Sequence, residues 1–147
     1  MKIFLDTSIL FKLYHREAGT AEFERDLSAI TITGIFLCEI AKVEFTSTVW
    51  KKVRTKEITE PEAKTTLDLF ETDFEKYNFE ATDSVMIEQA RLLAAKYGKL
   101  GLRTLDSIQL SAAVLLRDKV DTFFTADKLL KSLFAAEGLA VEMPGAA

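Results

Sequence analysis

Four acidic residues, Asp6, Glu44, Asp106 and Asp127, sit where side chains from distant parts of the chain could meet to do chemistry. Asp6 ends the apolar run Ile3-Phe4-Leu5 and is followed by two hydroxyl residues, Thr7 and Ser8. Glu44 lies between apolar positions of a helical pattern. Asp106 opens a further helix, and Asp127 directly follows Phe123-Phe124-Thr125-Ala126. Taken singly, each aspartate has an ordinary explanation as a helix cap that accepts free backbone N–H groups and suits the helix dipole. A lone helical glutamate is most often solvated. Jointly the acids read differently, because caps need not converge and metal ligands must. Carboxylates gathered in one pocket repel each other unless a divalent cation neutralises them, and hard oxygen donors suit Mg²⁺ or Mn²⁺. With a single histidine, His15, and a single cysteine, Cys38, the chain is poor in zinc ligands. His15 falls past the apolar face of its helix, at an expected surface position.

For these acids to meet, the elements that carry them must share an edge. Residues 3–5 read as a buried parallel strand that stops at Asp6. A helix from about Ser8 follows, with Ile9, Leu10, Leu13 and Tyr14 inward. In a parallel α/β sheet the strand-to-helix junctions share one edge, and ligands bind outside the strand carboxyl ends where strand order reverses. Thr20 is the expected cap of a second helix, with Phe23, Leu27 and Ile30 inward. Residues 35–37 are the expected second strand, and 39–54 a long helix with Ile40, Val43 and Trp50 among its apolar positions. Thr59-Glu60-Pro61-Glu62 carries a capping box and a first-turn proline, opening a helix with Ala63, Leu67, Phe70 and Phe74 at core spacing. Residues 77–81 suit an edge strand. Thr82 or Asp83 caps the next helix, with Met86, Ala90, Leu93, Ala94 and Tyr97 inward, and Gly98 and Gly101 bracket a turn. Helix 104–116, strand 120–125, helix 127–136 and strand 139–142 complete the pattern. The alternation predicts an α/β fold, a three-layer α/β/α sandwich on a central parallel sheet of about five strands. One domain covers 1–143, residues 144–147 form a frayed tail, and 39–98 form a helical arm on one side of the sheet.

The bulk properties bound the partners. The chain has 147 residues, 48% of them hydrophobic and 29% charged, which suits one domain with a sizeable core. A formal net charge of −4 argues against wholesale binding to duplex DNA, so any nucleic-acid contact needs a local basic patch or metal ions. One cysteine forms no intrachain disulfide and suits a reducing compartment. The first residues do not read as a secretory signal, and no apolar stretch reaches the length of a membrane span. The expected location is the cytoplasm.

Asp, Glu, Asp and Asp in this order, in a chain of this pattern, resemble PIN-domain ribonucleases, and within them the VapC-type toxins of toxin–antitoxin pairs. The likeness covers nearly the whole chain. Phe4-Leu5-Asp6-Thr7-Ser8 looks like the first family motif. Cys38-Glu39-Ile40-Ala41-Lys42-Val43-Glu44-Phe45 looks like the second, with Glu44 as its acid. Leu102-Arg103-Thr104-Leu105-Asp106-Ser107-Ile108-Gln109-Leu110 looks like the third, and Phe124-Thr125-Ala126-Asp127 the fourth. Cys38 departs from the pattern, where a small hydroxyl residue is expected. Glu39 is a rival to Glu44, but the two lie about 140° apart round a helix and cannot both face one pocket.

The resemblance implies cleavage of single-stranded or looped RNA with Mg²⁺ or Mn²⁺, leaving a 5′-phosphate and a 3′-hydroxyl. Asp6, Glu44 and Asp106 would hold the metal, and Asp127 would complete the set or orient the attacking water. Thr7, Ser8 and Thr125 would hydrogen-bond the carboxylates. Lys12 and Arg103 are the expected RNA contacts, with Lys51, Lys52, Arg54 and Lys56 as a further basic cluster. A homodimer and an antitoxin whose tail lies in the groove are also implied; Phe11, Phe45, Trp50 and Phe70 would serve either these contacts or the core. The alternative is a non-catalytic PIN-like scaffold that binds protein or RNA. A phosphatase or a response-regulator receiver shares an aspartate after the first strand. A second acid two residues on is missing, however, since position 8 is serine, and so are a receiver's paired early acids.

Overall fold

The computed structural model describes residues 1–145. Its strands are β1 (Lys2–Leu5), β2 (Gly34–Cys38), β3 (Tyr77–Glu80), β4 (Thr122–Phe124) and β5 (Val141–Glu142). They form one parallel sheet in the order β3-β2-β1-β4-β5. The helices are α1 (Thr7–Leu10), α2 (Thr20–Ser28), α3 (Ala41–Arg54), α4 (Glu60–Thr72), α5 (Ser84–Tyr97), α6 (Thr104–Leu115) and α7 (Lys128–Ala136). The result is a three-layer α/β/α sandwich on a five-stranded parallel sheet, as the alternation predicts.

β1 is central because its side chains are apolar on both faces. Ile3 and Leu5 pack into one core with Phe23 of α2, Phe45 and Val49 of α3, and Ala63 and Phe70 of α4. Phe4 points the other way, into a second core with Met86 and Leu93 of α5, Leu110 of α6 and Phe134 of α7. Strand period two splits one short run between two cores.

From β1 the chain steps outward to β2 and β3, then returns to β4 and β5 on the far side of β1. Strand order therefore reverses between β1 and β4. Leu5 lies beside Phe124 in register, and the Asp6 N–H donates to the Phe124 carbonyl at 3.2 Å. The residues that follow these two strands emerge together at the switch point, the ordinary place for a ligand in such a sheet.

Several expectations need correction. The helical arm is narrower than residues 39–98: α3 and α4 lie on the Ile3/Leu5 face, whereas β3 carries the chain across and α5 packs on α6 beneath the opposite face. Val43 is 64% exposed, because α3 turns Ala41, Phe45 and Val49 inward and position 43 falls on the opposite side. Thr20 does not cap α2. Gly19, at φ +93°, holds that position, while the buried Thr20 hydroxyl accepts the Glu17 N–H at 3.0 Å. The first helix is short, passing into a 3₁₀ turn at Phe11–Leu13 that buries Phe11 rather than Leu13. Of the expected tail, Pro144 is buried and Gly145 lies against Gly19; Ala146 and Ala147 fall outside the described residues. Phe11, Phe45 and Phe70 belong to the core, and Trp50 is half-buried against it.

Candidate functional site

A cleft of about 440 Å³, within the range of small-ligand sites, opens at the switch point. Asp6, Glu44, Asp106 and Asp127 all line it, together with Thr7, Ser8, Lys12, Glu17, Thr48, Lys52 and Gln109. Four acids from four segments of the chain thus reach one cavity.

Asp6 is 1% exposed and wholly bonded. Its Oδ1 accepts the Ile9 N–H at 3.0 Å, which caps α1, and the Ser8 hydroxyl at 2.6 Å; its Oδ2 accepts the Thr125 hydroxyl. The same hydroxyls knit the β4 loop: Ser8 Oγ accepts the Ala126 N–H and Thr125 Oγ1 accepts the Asp127 N–H, each at 3.0 Å. Asp127 caps α7 through the Leu130 N–H at 2.8 Å. For these two residues capping and convergence coexist. Asp106 caps nothing: it lies in the first turn of α6, whose flanking residue Arg103 gives no side-chain cap. There the helix dipole favours its charge.

Glu44 sits one turn into α3, at the edge of the face that Ala41 and Phe45 bury. Its Oε1 accepts the Thr7 hydroxyl at 2.9 Å and the Gln109 amide at 2.7 Å, and Gln109 also donates to Thr7 at 2.9 Å. Thr7 and Gln109 therefore tie α1, α3 and α6 at one point. Gln109 belongs to the third motif, yet sequence reading gave it no role. The available signal was its spacing, three residues after Asp106, which puts both on one face of α6.

The acids are electrostatically strained. Burial lifts the Asp6 carboxyl to about 6, against the pull of its hydroxyl and N–H donors, with the Asp127 charge adding to the rise. Glu44 is raised by burial and by Asp106, opposed by its bonds from Gln109 and Thr7. Asp106 is raised by burial and by Asp127, while Arg103 lowers it. The two lysines of the cleft do not relieve this, because each faces another carboxylate: Lys12 pairs with Glu17 at 3.1 Å and Lys52 with Glu57 at 3.0 Å.

Of the other sequence candidates, Arg103 is exposed beside Asp106 and Glu44. Lys51, Arg54 and Lys56 are exposed and lie off the cleft lining, unlike Lys52. Glu39 is exposed and faces Lys42 at 3.8 Å, so Glu44 alone of the rivals reaches the cleft. His15 is half-buried, its ring 5.4 Å from that of Phe11. Cys38 is buried against Thr82 and Met86, its thiol pushed up by burial. Glu17 escaped sequence reading.

The donor set fits a hard divalent cation in chemistry and charge. It offers several carboxylate oxygens, three strained acids and no soft ligand, and the buried Oε1 of Gln109 has no hydrogen-bond partner among the described residues. As the side chains lie, no group of three or more His, Cys, Asp or Glu among the described residues is arranged to hold a metal ion. Asp6 and Asp127 instead turn oxygens onto backbone N–H and hydroxyl groups.

Comparison with known proteins gives one family: the PIN domain model matches residues 3–133. No curated protein matches the chain. Mycobacterium tuberculosis VapC20, a sarcin-ricin loop cleaving toxin, is similar in structure with a TM-score of 0.70 at 17% identity, covering 97% of this chain and 99% of that one. VapBC2 from Rickettsia felis, bound to a DNA fragment from its promoter, gives 0.64 at 17% identity, covering 97% and 98%. FitAcB from Neisseria gonorrhoeae gives 0.66 at 18% identity, covering 95% of each chain. At such identities the likeness is one of fold. Among the described residues no helix is long and apolar enough to cross a membrane.

Proposed function

The chain belongs to the PIN domain family, and from that premise we propose that it is a divalent-metal-dependent endoribonuclease, the toxin of a VapBC-type pair. The observation that carries the reading is the arrival of Asp6, Glu44, Asp106 and Asp127 in one cleft at the switch point, where the two cleft lysines are paired with other carboxylates. Asp6, Glu44 and Asp106 would hold Mg²⁺ or Mn²⁺, with Asp127 completing the set. When bound, the metal supplies a water of lowered pKa and positive charge against the negative charge developing on the phosphate.

The rest belongs to the chain's own side chains. Ser8 and Thr125 fix both oxygens of Asp6, and Thr7 with Gln109 fixes Glu44, so neither carboxylate must reorganise during reaction. Asp127, anchored by the Leu130 N–H, would complete the acidic set or orient the attacking water. Lys12 at the cleft wall and Arg103, exposed beside Asp106 and Glu44, hold the flanking phosphates of a single strand.

Purified protein incubated with a mixed RNA pool and Mn²⁺ is expected to cut, leaving 5′-phosphate and 3′-hydroxyl ends, and to stop in chelator. Asp6→Asn and Asp106→Asn should abolish cleavage while far-ultraviolet circular dichroism is unchanged. Full activity in both variants would overturn the assignment. A non-catalytic scaffold is the second reading, favoured because no group of three or more acids, His or Cys among the described residues is arranged to hold a metal ion. Calorimetric titration with Mn²⁺ separates the two, since a scaffold shows no saturable binding.

The same proposal includes a cognate antitoxin, supported by the similar fold in VapBC2. It includes a homodimer in the cytoplasm as well. Val85 and Leu92, two turns apart on one face of α5 and 65% and 54% exposed, offer apolar surface for a second copy.

A further inference from the structure

The cleft holds a fifth carboxylate that has no part in the acidic set. Glu17 lies in the loop between the 3₁₀ turn and α2, and its place is fixed by its own backbone: its N–H donates to Thr20 Oγ1 and its carbonyl accepts the Thr20 N–H at 3.1 Å. Its side chain faces two lysines of the same cleft. Oε1 is 3.1 Å from Lys12 Nζ, and Oε2 is 3.9 Å from Lys52 Nζ, which also pairs with Glu57 at 3.0 Å. The lysine side chains are only 11% and 20% exposed, so they are held at the wall rather than extended into water. Lys12 also donates to the Ala18 carbonyl, and its stem passes Gly19, where a β-carbon would stand 3.5 Å from it. A single carboxylate therefore spans the two lysines that line the cleft.

A phosphodiester presents to lysine what Glu17 presents: a negative charge spread over oxygen acceptors. We propose that Glu17 is an internal substitute for an RNA phosphate, holding Lys12 and Lys52 in place in the free protein and giving them up to the strand on binding. The proposal rests on the ribonuclease reading and adds a positioning residue that sets affinity. Glu17 keeps the lysines from collapsing onto Asp6, Glu44, Asp106 and Asp127, which would forfeit metal binding. It also makes binding an exchange of partners, so strands without a phosphate in register gain little.

The test measures binding rather than cleavage: fluorescence anisotropy of a labelled single-stranded oligoribonucleotide of mixed sequence, in EDTA. Glu17→Gln should tighten binding by about fivefold, the size expected for releasing a partly exposed ion pair. Glu24→Gln, which removes an exposed acid paired with Arg16 off the cleft lining, controls for net charge and should change it less than about twofold. The deciding arm is a double-mutant cycle. In a Lys12→Met/Lys52→Met background, Glu17→Gln should do no more than Glu24→Gln. An equal gain with the lysines absent would mean simple repulsion of the strand and overturn the proposal, as would no gain in the parent chain. If Lys12→Met fails to fold, Lys52→Met alone carries the cycle, and a reduced Glu17→Gln effect is then the supporting result. Wild-type protein that binds no RNA in EDTA yet cuts it with Mn²⁺ overturns only this inference; protein that neither binds nor cuts removes the ribonuclease reading with it. Wild-type protein that binds RNA but is indifferent to Glu17→Gln overturns only the inference.

Discussion

Asp6 has a carboxylate buried among hydroxyls, and that burial has a thermodynamic consequence. Its folded-state pKa rises from the ordinary 3.8 to about 6. Between those values the native chain binds more protons than the unfolded chain, so this residue makes stability fall as pH rises through the window. In EDTA, Asp6→Asn should be more stable than wild type at pH 7.5, by up to about 3 kcal/mol. The difference should vanish toward pH 4, and urea unfolding at a series of pH values reads it. A difference constant with pH would mean that Asp6 is not the strained group. Gln109 makes the complementary case. Its amide fixes Glu44 and Thr7 while its Oε1 is unpartnered, so Gln109→Met gives up two hydrogen bonds and one orphaned acceptor together. Its melting temperature should move by only a few degrees, while cleavage falls about 10–100-fold. The acids were legible in the sequence because motif spacing marks them. Gln109 and Glu17 were not, since their roles depend on what faces them across the cleft.

At the scale of elements, caps and periodicity were the most readable features. The Thr59 capping box, the Asp83 cap of α5 and the edge position of β3 all follow from local chemistry. Thr20 misled because its hydroxyl serves the preceding loop, and a glycine at positive φ, invisible to a capping rule, took its place. The division of residues 39–98 between both faces was illegible for another reason: a helical repeat says which side is apolar, not which side of a sheet it meets. α4 offers a test that separates stability from site. Its capping box supports the helix that sets Phe70 against Phe45, with ring centroids 4.1 Å apart, next to Glu44 on α3. Thr59→Ala should lower stability by about 1 kcal/mol in chemical denaturation while the RNA cleavage rate stays within about twofold of wild type. A larger loss of activity would mean that α4 positions Glu44 rather than merely packing behind it.

On the scale of the whole molecule, the switch point draws residues 6, 44, 106 and 127 to one place, and their like charges push against the fold that gathers them. Burial and repulsion raise Asp6, Glu44 and Asp106 together, so the metal-free chain gives up part of its stability to keep an acidic cleft ready. A divalent cation that binds only the folded chain must return some of that stability. At a concentration a hundredfold above its dissociation constant the gain is about 2.7 kcal/mol, which for a chain of this size is roughly 5–10 °C in melting temperature. Scanning calorimetry with Mn²⁺, with Mg²⁺ and in EDTA should show that rise and its reversal. Asp106→Asn separates the cleft from non-specific ion effects. It should melt higher than wild type in EDTA, because a repelling charge is gone, and gain less from Mn²⁺, because a ligand is gone. The two curves should therefore cross as metal is added. An equal metal response in both proteins would place the cation elsewhere on the molecule.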